Sequence, residues 1–314
     1  MSNRAAEAIL GAHLADAAAM GLHWLYDPDR IAALGAPLAF RAPDPADFKD
    51  AKGVFVHHGK RAGMGSHYGE QMRVMTRAIL AKGGYEREAY LTSFTASFGA
   101  GGSWQGYIDK STRGTLAGIA AQRLPTGAED DQVPALAKLP PLMAVLHGGN
   151  WEAAVEEAVA ATSNHATALA WAPAAAAALH AAMDGADMHA ALHAGIRAVP
   201  AAVGAPLHRA MERAGEDPVA FAGEAGRACT LTQALPVAFQ ILARATTLRD
   251  AVEDNVRAGG DNCGRAIFIG AMAAMEWGVA SAPLDWLLAL EDGAAIWAEA
   301  QGVSALATGD AKAA

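Results

Sequence analysis

The residues of this chain that could do chemistry fall into three short stretches, each set among alanine and other apolar side chains. The first holds Asp16 and, where the apolar run breaks, His23 beside Trp24. A carboxylate among alanines costs free energy on burial unless it is paired or hydrogen-bonded. Asp16 is therefore a functional acid, a cap on a neighbouring helix, or a group that faces water, and His23 has the plain alternative of a half-buried histidine in an aromatic loop. The second stretch is GMGSHYGEQM, residues 63–72. Its glycines allow tight turning and close approach of backbone to a ligand. Ser66, His67, Tyr68, Glu70 and Gln71 lie at or just before a helix N-terminus, where unpaired amides attract anions; the plainer reading leaves Ser66 or Glu70 as a capping group only. The third stretch, AGGDNCGR at residues 258–265, wedges Asp261 and Cys263 between two helices. Its plainer reading is a turn with Asp261 as N-cap and Cys263 as a small buried hydrophobe. Neither glycine-rich stretch follows a strand and opens a helix, which argues against a dinucleotide fingerprint or a P-loop.

Spacing alone does not unite the three stretches, but each lies at a helix end, and helix ends gather on one face of a bundle. If they meet, His23, His67, Asp261 and Cys263 form a set of imidazole, thiolate and carboxylate donors that suits Zn²⁺ better than Mg²⁺. A Cys–His nucleophilic pair is the other chemical use, with the Cys263 thiolate favoured at a helix N-terminus. A polar cleft without metal is the third outcome, and the residues by themselves name no cofactor.

The elements that must position these groups are helices. Residues 4–20 form a small-residue helical run that Gly21 and an aromatic loop interrupt, with Pro28 barring continuation. After a long Pro-, Gly- and Asp-rich segment, Met72, Met75 and Ile79 recur at helical spacing and predict a helix over residues 69–82. Residues 86–98 and 111–123 are further helices, and Asn150 is placed to cap one beginning at Trp151. Thr247 with Asp250 resembles a capping box. In the closing run RAIFIGAMAAMEWG, Gly270 and Ala274 allow close helix contact. No β-rich run of useful length, fixed repeat or linker appears. The expectation is an all-α, single-domain orthogonal multi-helix bundle over residues 1–300, with a flexible C-terminal tail over 301–314 where side-chain bulk falls away.

Composition narrows the function classes. At 314 residues with 53% hydrophobic and 18% charged side chains, the chain buries a large core and is neither disordered nor a coiled coil. The net charge of −9, with no basic cluster, opposes nucleic-acid binding. Cys229 and Cys263 do not make a disulfide framework of the small-secreted kind. The N-terminal run carries His13 and Asp16 and reads as neither signal peptide nor membrane span, so the expected location is cytoplasmic, with no membrane partner.

Over residues 8–279 the chain resembles the ADP-ribosylglycohydrolase family, all-helical dimetal enzymes that remove ADP-ribose from modified proteins or cleave related compounds. GAHLADAAAMGLH resembles the family's Gly-Asp-Ala-x-Gly pattern followed by a glutamate, and GSHYGEQM resembles its Thr-Asp-Asp-Thr-Gln-Met segment. ATSNHATALAWAPAAAAAL resembles its Thr-His segment and the Ala-rich helix after it, and the run from LPVAFQILARATT through AGGDNCGR to MEWG resembles its late Gly-Gly-Asp-Thr-Asp-Thr turn between helices. Where the resemblance implies metal ligands, the glutamate is His23, the triplet is His67, Tyr68 and Gly69, Asp261 is kept, and the second aspartate and the threonine are Cys263 and Gly264. Asp16 keeps the aspartate of the opening pattern. Mg²⁺ takes hard oxygen ligands, and one retained aspartate of that ligand set does not hold a pair of such ions. GGDNC before a basic residue is similar to a divergent branch that includes the jellyfish J-type crystallins.

Two functions follow from the resemblance. One is a hydrolase of an N- or O-glycosidic bond in an ADP-ribosyl-type compound, with Glu70, Asp16 or Asp261 as general base and Cys263 in the site. The other is a catalytically inactive protein on the same scaffold, binding an ADP-ribosyl or nucleotide ligand or serving a structural role. It expects Arg265 in the cleft and Trp24, Tyr68 or Trp104 against the adenine. Nothing in the sequence identifies an oligomer interface.

Overall fold

A computed structural model describes residues 3–146 and 150–308. Among the described residues there are sixteen α-helices joined by short 3₁₀ turns and loops, and no strand beyond isolated bridges. In chain order they are α1 (Arg4–Ala19), α2 (Pro28–Leu34), α3 (His67–Lys82), α4 (Arg87–Phe98), α5 (Lys110–Ala120), α6 (Leu139–Val145), α7 (Glu152–Thr162) and α8 (Ala166–Met183). Then follow α9 (Met188–Arg197), α10 (Ala201–Glu212), α11 (Pro218–Ala225), α12 (Leu231–Arg244), α13 (Leu248–Ala258), α14 (Asn262–Trp277), α15 (Leu284–Ala289) and α16 (Gly293–Thr308). The expected all-α bundle is what the chain forms.

At its centre α1 lies against α14, and both are buried on nearly every side. Alanine contributes little area per residue, so this core gains its cohesion from close backbone approach and dense contact. Gly11 and Gly270 supply that approach: a Cβ on Gly11 would strike Ala274 and the Gly270 carbonyl, and one on Gly270 would strike Ala15 and the Gly11 carbonyl. The spacing of Gly270 and Ala274 thus does what the sequence suggested. Around this pair pack α3, α6, α8, α12, α13 and α16. α8 is apolar and long enough, by length and composition, to cross a membrane, but 56% of it is buried inside the fold, as in a core helix.

Caps set the helix starts. Ser66, Asp109, Thr247 and Asp261 each accept a backbone N–H from the helix they precede, which satisfies donors that would otherwise be orphaned. Asn150 does not cap α7. Trp151 holds the N-cap position without a side-chain bond, so the asparagine lies one residue too early to reach the first-turn amides.

The flexible tail expected from residue 301 is corrected as far as Thr308, because α16 continues to that residue. Ile296, Ala300 and Val303 keep a buried stripe at spacings of four and three, packed against α1, α3 and α6. Small side chains keep an apolar face there without adding bulk. Residues 309–314 of that expectation lie outside the described residues.

The irregular segment between α2 and α3 is tied down rather than loose. Arg41 pairs with Asp47 at 2.5 Å, and Arg30 Nε donates to the Asp47 carbonyl at 2.9 Å. Leu25 bridges both Gly53 and Gly260, so this segment and the α13–α14 turn are held to the loop that follows α1.

Candidate functional site

The three stretches meet. Trp24 N–H donates to the Gly260 carbonyl at 2.8 Å, and Gly260 N–H returns a bond to the Leu25 carbonyl at 2.7 Å. Gly259 and Gly260 have φ of +70° and +69°, a left-handed pair that a β-carbon would strain. The turn they make aims Asp261 back at the loop after α1. His23 Nε2 lies 2.9 Å from Asp261 Oδ1, and Tyr68, on the first turn of α3, donates its hydroxyl to Asp261 Oδ2 at 3.0 Å. Gly264 N–H also donates to Asp261 Oδ1 at 3.1 Å. His23 Nδ1 lies 2.7 Å from His57 Nε2, and the His67 ring centre is 5.9 Å from that of His23. The Sγ of Cys263 points back towards α1, 3.7 Å from the Asp16 carbonyl.

Every member of this cluster is buried: His23, His67, Asp261 and Asp16 show no exposed surface, and His57 keeps only 4%. The proton inventory follows from that. Burial pushes the His23 imidazolium down, with partial compensation from Asp261, and it pushes His57 down to about 2 with help from the neighbouring histidines. Neutral His23 then carries its proton on Nε2, donates to Asp261, and accepts from His57 Nε2–H through Nδ1. Burial would raise the Asp261 carboxyl, but the hydrogen bond from His23, the nearby Arg265 and the Gly264 amide together hold it below its usual range. Asp261 is an ionised acceptor with both oxygens engaged.

Asp16 is committed elsewhere. It accepts from Ser66 N–H at 2.8 Å and from Ser66 Oγ–H at 2.5 Å, so the carboxylate sits where an anion would bind at the start of α3. Burial raises its carboxyl to about 6 despite those bonds. Cys263 is no activated nucleophile here. Burial first, then the charges of Asp16 and Asp261, push its thiol well above the ordinary value. Arg265, expected in the cleft, is instead inside the fold, with Nε on Asn255 Oδ1 at 2.9 Å and another nitrogen on the Gly259 carbonyl at 2.6 Å. It pins the turn.

Glu70 stands apart from the cluster. It accepts a hydrogen bond from Ser97 Oγ at 2.6 Å and lines an open cavity of about 550 Å³. Ser66 and Gly69 are the wall between that cavity and the buried cluster. His13, Lys60, Arg73, Trp104 and Glu291 line its other sides. Lys60 Nζ sits 3.8 Å from the centre of the Trp104 ring, a cation–π contact. Of the three aromatic candidates only Trp104 lines this cavity; Tyr68 is buried, and Trp24 packs edge-on to Tyr107.

Sequence reading missed two members. His57 sits in the irregular segment, where no periodicity marks a buried position. Asp109 accepts Thr112 N–H at 2.5 Å and Gln71 Nε2 at 3.0 Å, and lies 3.3 Å from His67 Nε2. An aspartate just before α5 is a legible cap, but nothing in the spacing joins it to His67.

A dimetal centre of hard oxygen ligands does not fit this arrangement. Asp261 spends its oxygens on three donors. Histidine, tyrosine, cysteine and glycine fill the other positions that the family resemblance assigns to ligands, and a β-carbon on Gly69 would run into Asp16 Oδ2.

Known proteins bear on the same scaffold. A sequence model of the ADP-ribosylglycohydrolase family matches residues 1–312. The chain is 25% identical over 305 residues to crystallin J1A of Tripedalia cystophora, covering 91% of each. A solved structure described as an ADP-ribosylglycohydrolase-related protein complex has the same fold, with a TM-score of 0.75 at 19% identity over 97% of this chain and 98% of the other.

Proposed function

The chain belongs to the ADP-ribosylglycohydrolase family, and from that premise we propose that it is a binding protein on the family scaffold. It takes an ADP-ribosyl- or nucleotide-type small molecule in the cavity beside Lys60 and Trp104, and it performs no dimetal hydrolysis. The observation that carries this reading is the commitment of Asp16 and Asp261: Ser66 holds the first, and His23, Tyr68 and Gly264 hold the second. Neither carboxylate lines the cavity. The likeness to a crystallin favours a non-catalytic role as well.

The cavity has the size and mixed lining of a small-molecule site. Trp104 offers a ring for a base, and Lys60 offers a cation for phosphate oxygens. Arg73 is less available, because its nitrogens already bond Glu299 and Asp292. Isothermal titration with ADP-ribose tests the proposal. The expected result is saturable binding that Mg²⁺ leaves unchanged and that Trp104→Ala weakens about tenfold, equivalent to roughly 1.4 kcal/mol. Folded protein that binds no ADP-ribose would instead favour a structural role.

One observation supports a second reading, a metal-independent hydrolase. Glu70 is the one carboxylate among the three base candidates that faces the cavity, and a carboxylate beside a bound glycoside is placed for general-base work. Turnover of an ADP-ribosyl compound without Mg²⁺ that Glu70→Gln abolishes would favour it.

A further inference from the structure

We propose that His23, His57 and Cys263 form a site for one soft divalent cation of the zinc class, with Asp261 orienting His23 from behind. This goes beyond the ligand-binding reading and does not depend on it, since the cation site lies in the buried cluster and not in the cavity.

The geometry comes first. One nitrogen of each histidine and the cysteine sulfur all lie within 4.8 Å of one another, on three buried side chains. The ligands come from three separate parts of the chain: the loop after α1, the irregular segment before α3, and the first turn of α14. His23 Nδ1 and His57 Nε2 are 2.7 Å apart with a proton between them. Two nitrogens on one tetrahedral Zn²⁺ at about 2.0–2.1 Å stand roughly 3.3 Å apart. Exchanging the proton for the ion therefore opens the pair by only about half an ångström.

Next comes orientation. A zinc-bound histidine almost always donates its other ring N–H to a carboxylate, carbonyl or water, which fixes its tautomer. His23 does so already, with Nε2–H on Asp261 Oδ1 at 2.9 Å, and Asp261 is itself held by Tyr68 and Gly264. His57 takes up the ion by moving its proton from Nε2 to Nδ1, a tautomer change that releases nothing. Cys263 gives up its thiol proton to solvent as the Zn–S bond forms, so one proton leaves per ion bound.

Charge and softness then select the ion. The two positive charges of Zn²⁺ are met by the Cys263 thiolate and the Asp261 carboxylate, with the charges of Asp16 and Arg265 also nearby, so the ion is not buried unpaired. Imidazole and thiolate are ligands of zinc and its soft neighbours, whereas Mg²⁺ demands oxygens. His67 lies beside His23. Its Nδ1 is buried without a hydrogen-bond partner, its Nε2 lies 3.3 Å from Asp109 Oδ2, and its ring centre is 5.9 Å from that of His23.

The test uses the full-length chain, stripped of metal and then loaded with Zn²⁺ or Co²⁺. About one equivalent of zinc should survive desalting, and millimolar Mg²⁺ should not displace it. The cobalt form should show a thiolate-to-metal charge-transfer band that Cys263→Ala removes and Cys229→Ala leaves intact. Zinc below about 0.1 equivalent after incubation with excess ion, or a cobalt band that persists in Cys263→Ala, would overturn the assignment. Should Cys263→Ala fail to fold, His57→Gln replaces it: loss of zinc retention upholds the site, and full retention overturns it.

Discussion

The buried cluster at the meeting of α1, α3 and α14 and the cavity on the other side of Ser66 and Gly69 share a wall but handle polar groups in opposite ways. In the cluster most charge and lone pairs are spent inside the protein, and Asp261 alone satisfies three donors from three elements. In the cavity Lys60 lies over an aromatic face and Glu70 has one hydroxyl partner, with solvent beside both. A closed polar network contributes to stability because each missing partner leaves a buried group unsatisfied. An open one is available to a ligand. The comparison separates a closed network, which an ion enters only by replacing its protons, from an open surface for an organic ligand only a few residues away.

Substitution should expose that difference most strongly at Asp261. Asp261→Ala strands the His23 Nε2–H, the Tyr68 hydroxyl and the Gly264 amide and leaves Arg265 without its nearby negative charge, at a cost of about 3–5 kcal/mol in urea unfolding. Glu70→Gln across the wall should cost less than about 1 kcal/mol. Equal losses at the two positions would erase the distinction.

Acid titration sharpens it next. His13 spans the boundary: it lines the cavity yet is buried, and burial, followed by the charges of Arg73 and Arg77, lowers its pKa to about 3. Its share of stability is complete above the unfolded value near 6.5 and is lost as pH falls towards 3. Asp16 runs the other way, its share being complete below its unfolded value near 4 and lost as pH rises through about 6. His13→Gln should therefore remove about one proton from the acid limb, roughly 1.4 kcal/mol per pH unit between the two His13 values, measured as unfolding free energy against pH. An unchanged slope would show that His13 titrates normally in the fold.

On the cavity side the effects are smaller and fall on binding rather than stability. Lys60→Ala should weaken ADP-ribose about three- to tenfold while leaving the unfolding midpoint nearly unchanged. Smallest of all is the effect of Mg²⁺, which should move the thermal midpoint by less than about 1 °C, because an ion that finds no site in the folded state gives no linkage.

Most of the fold is legible in the sequence for identifiable reasons. Met72, Met75 and Ile79 mark α3, Thr247 and Asp261 mark helix starts, and Gly270 with Ala274 marks a close helix contact. That His23, His67, Asp261 and Cys263 could converge is suggested by their places at helix ends, and the resemblance sharpens it, since spacing carries no information about which helix ends meet. His57 was illegible because an irregular segment has no period to betray which residue turns inward. The fate of Arg265 was equally hidden. A cation beside a glycine turn reads as a ligand contact until the carbonyl of Gly259 and the amide of Asn255 are seen to take its protons.

The central claim is that the carboxylates of this site are committed to the protein's own donors and not to a pair of hard cations. Release of ADP-ribose from ADP-ribosyl-serine and ADP-ribosyl-arginine, at high protein concentration, with and without Mg²⁺ and beside an active hydrolase as control, tests it most directly. No Mg²⁺-dependent release on either substrate is the predicted result; release that appears with Mg²⁺ and disappears in its absence would contradict it.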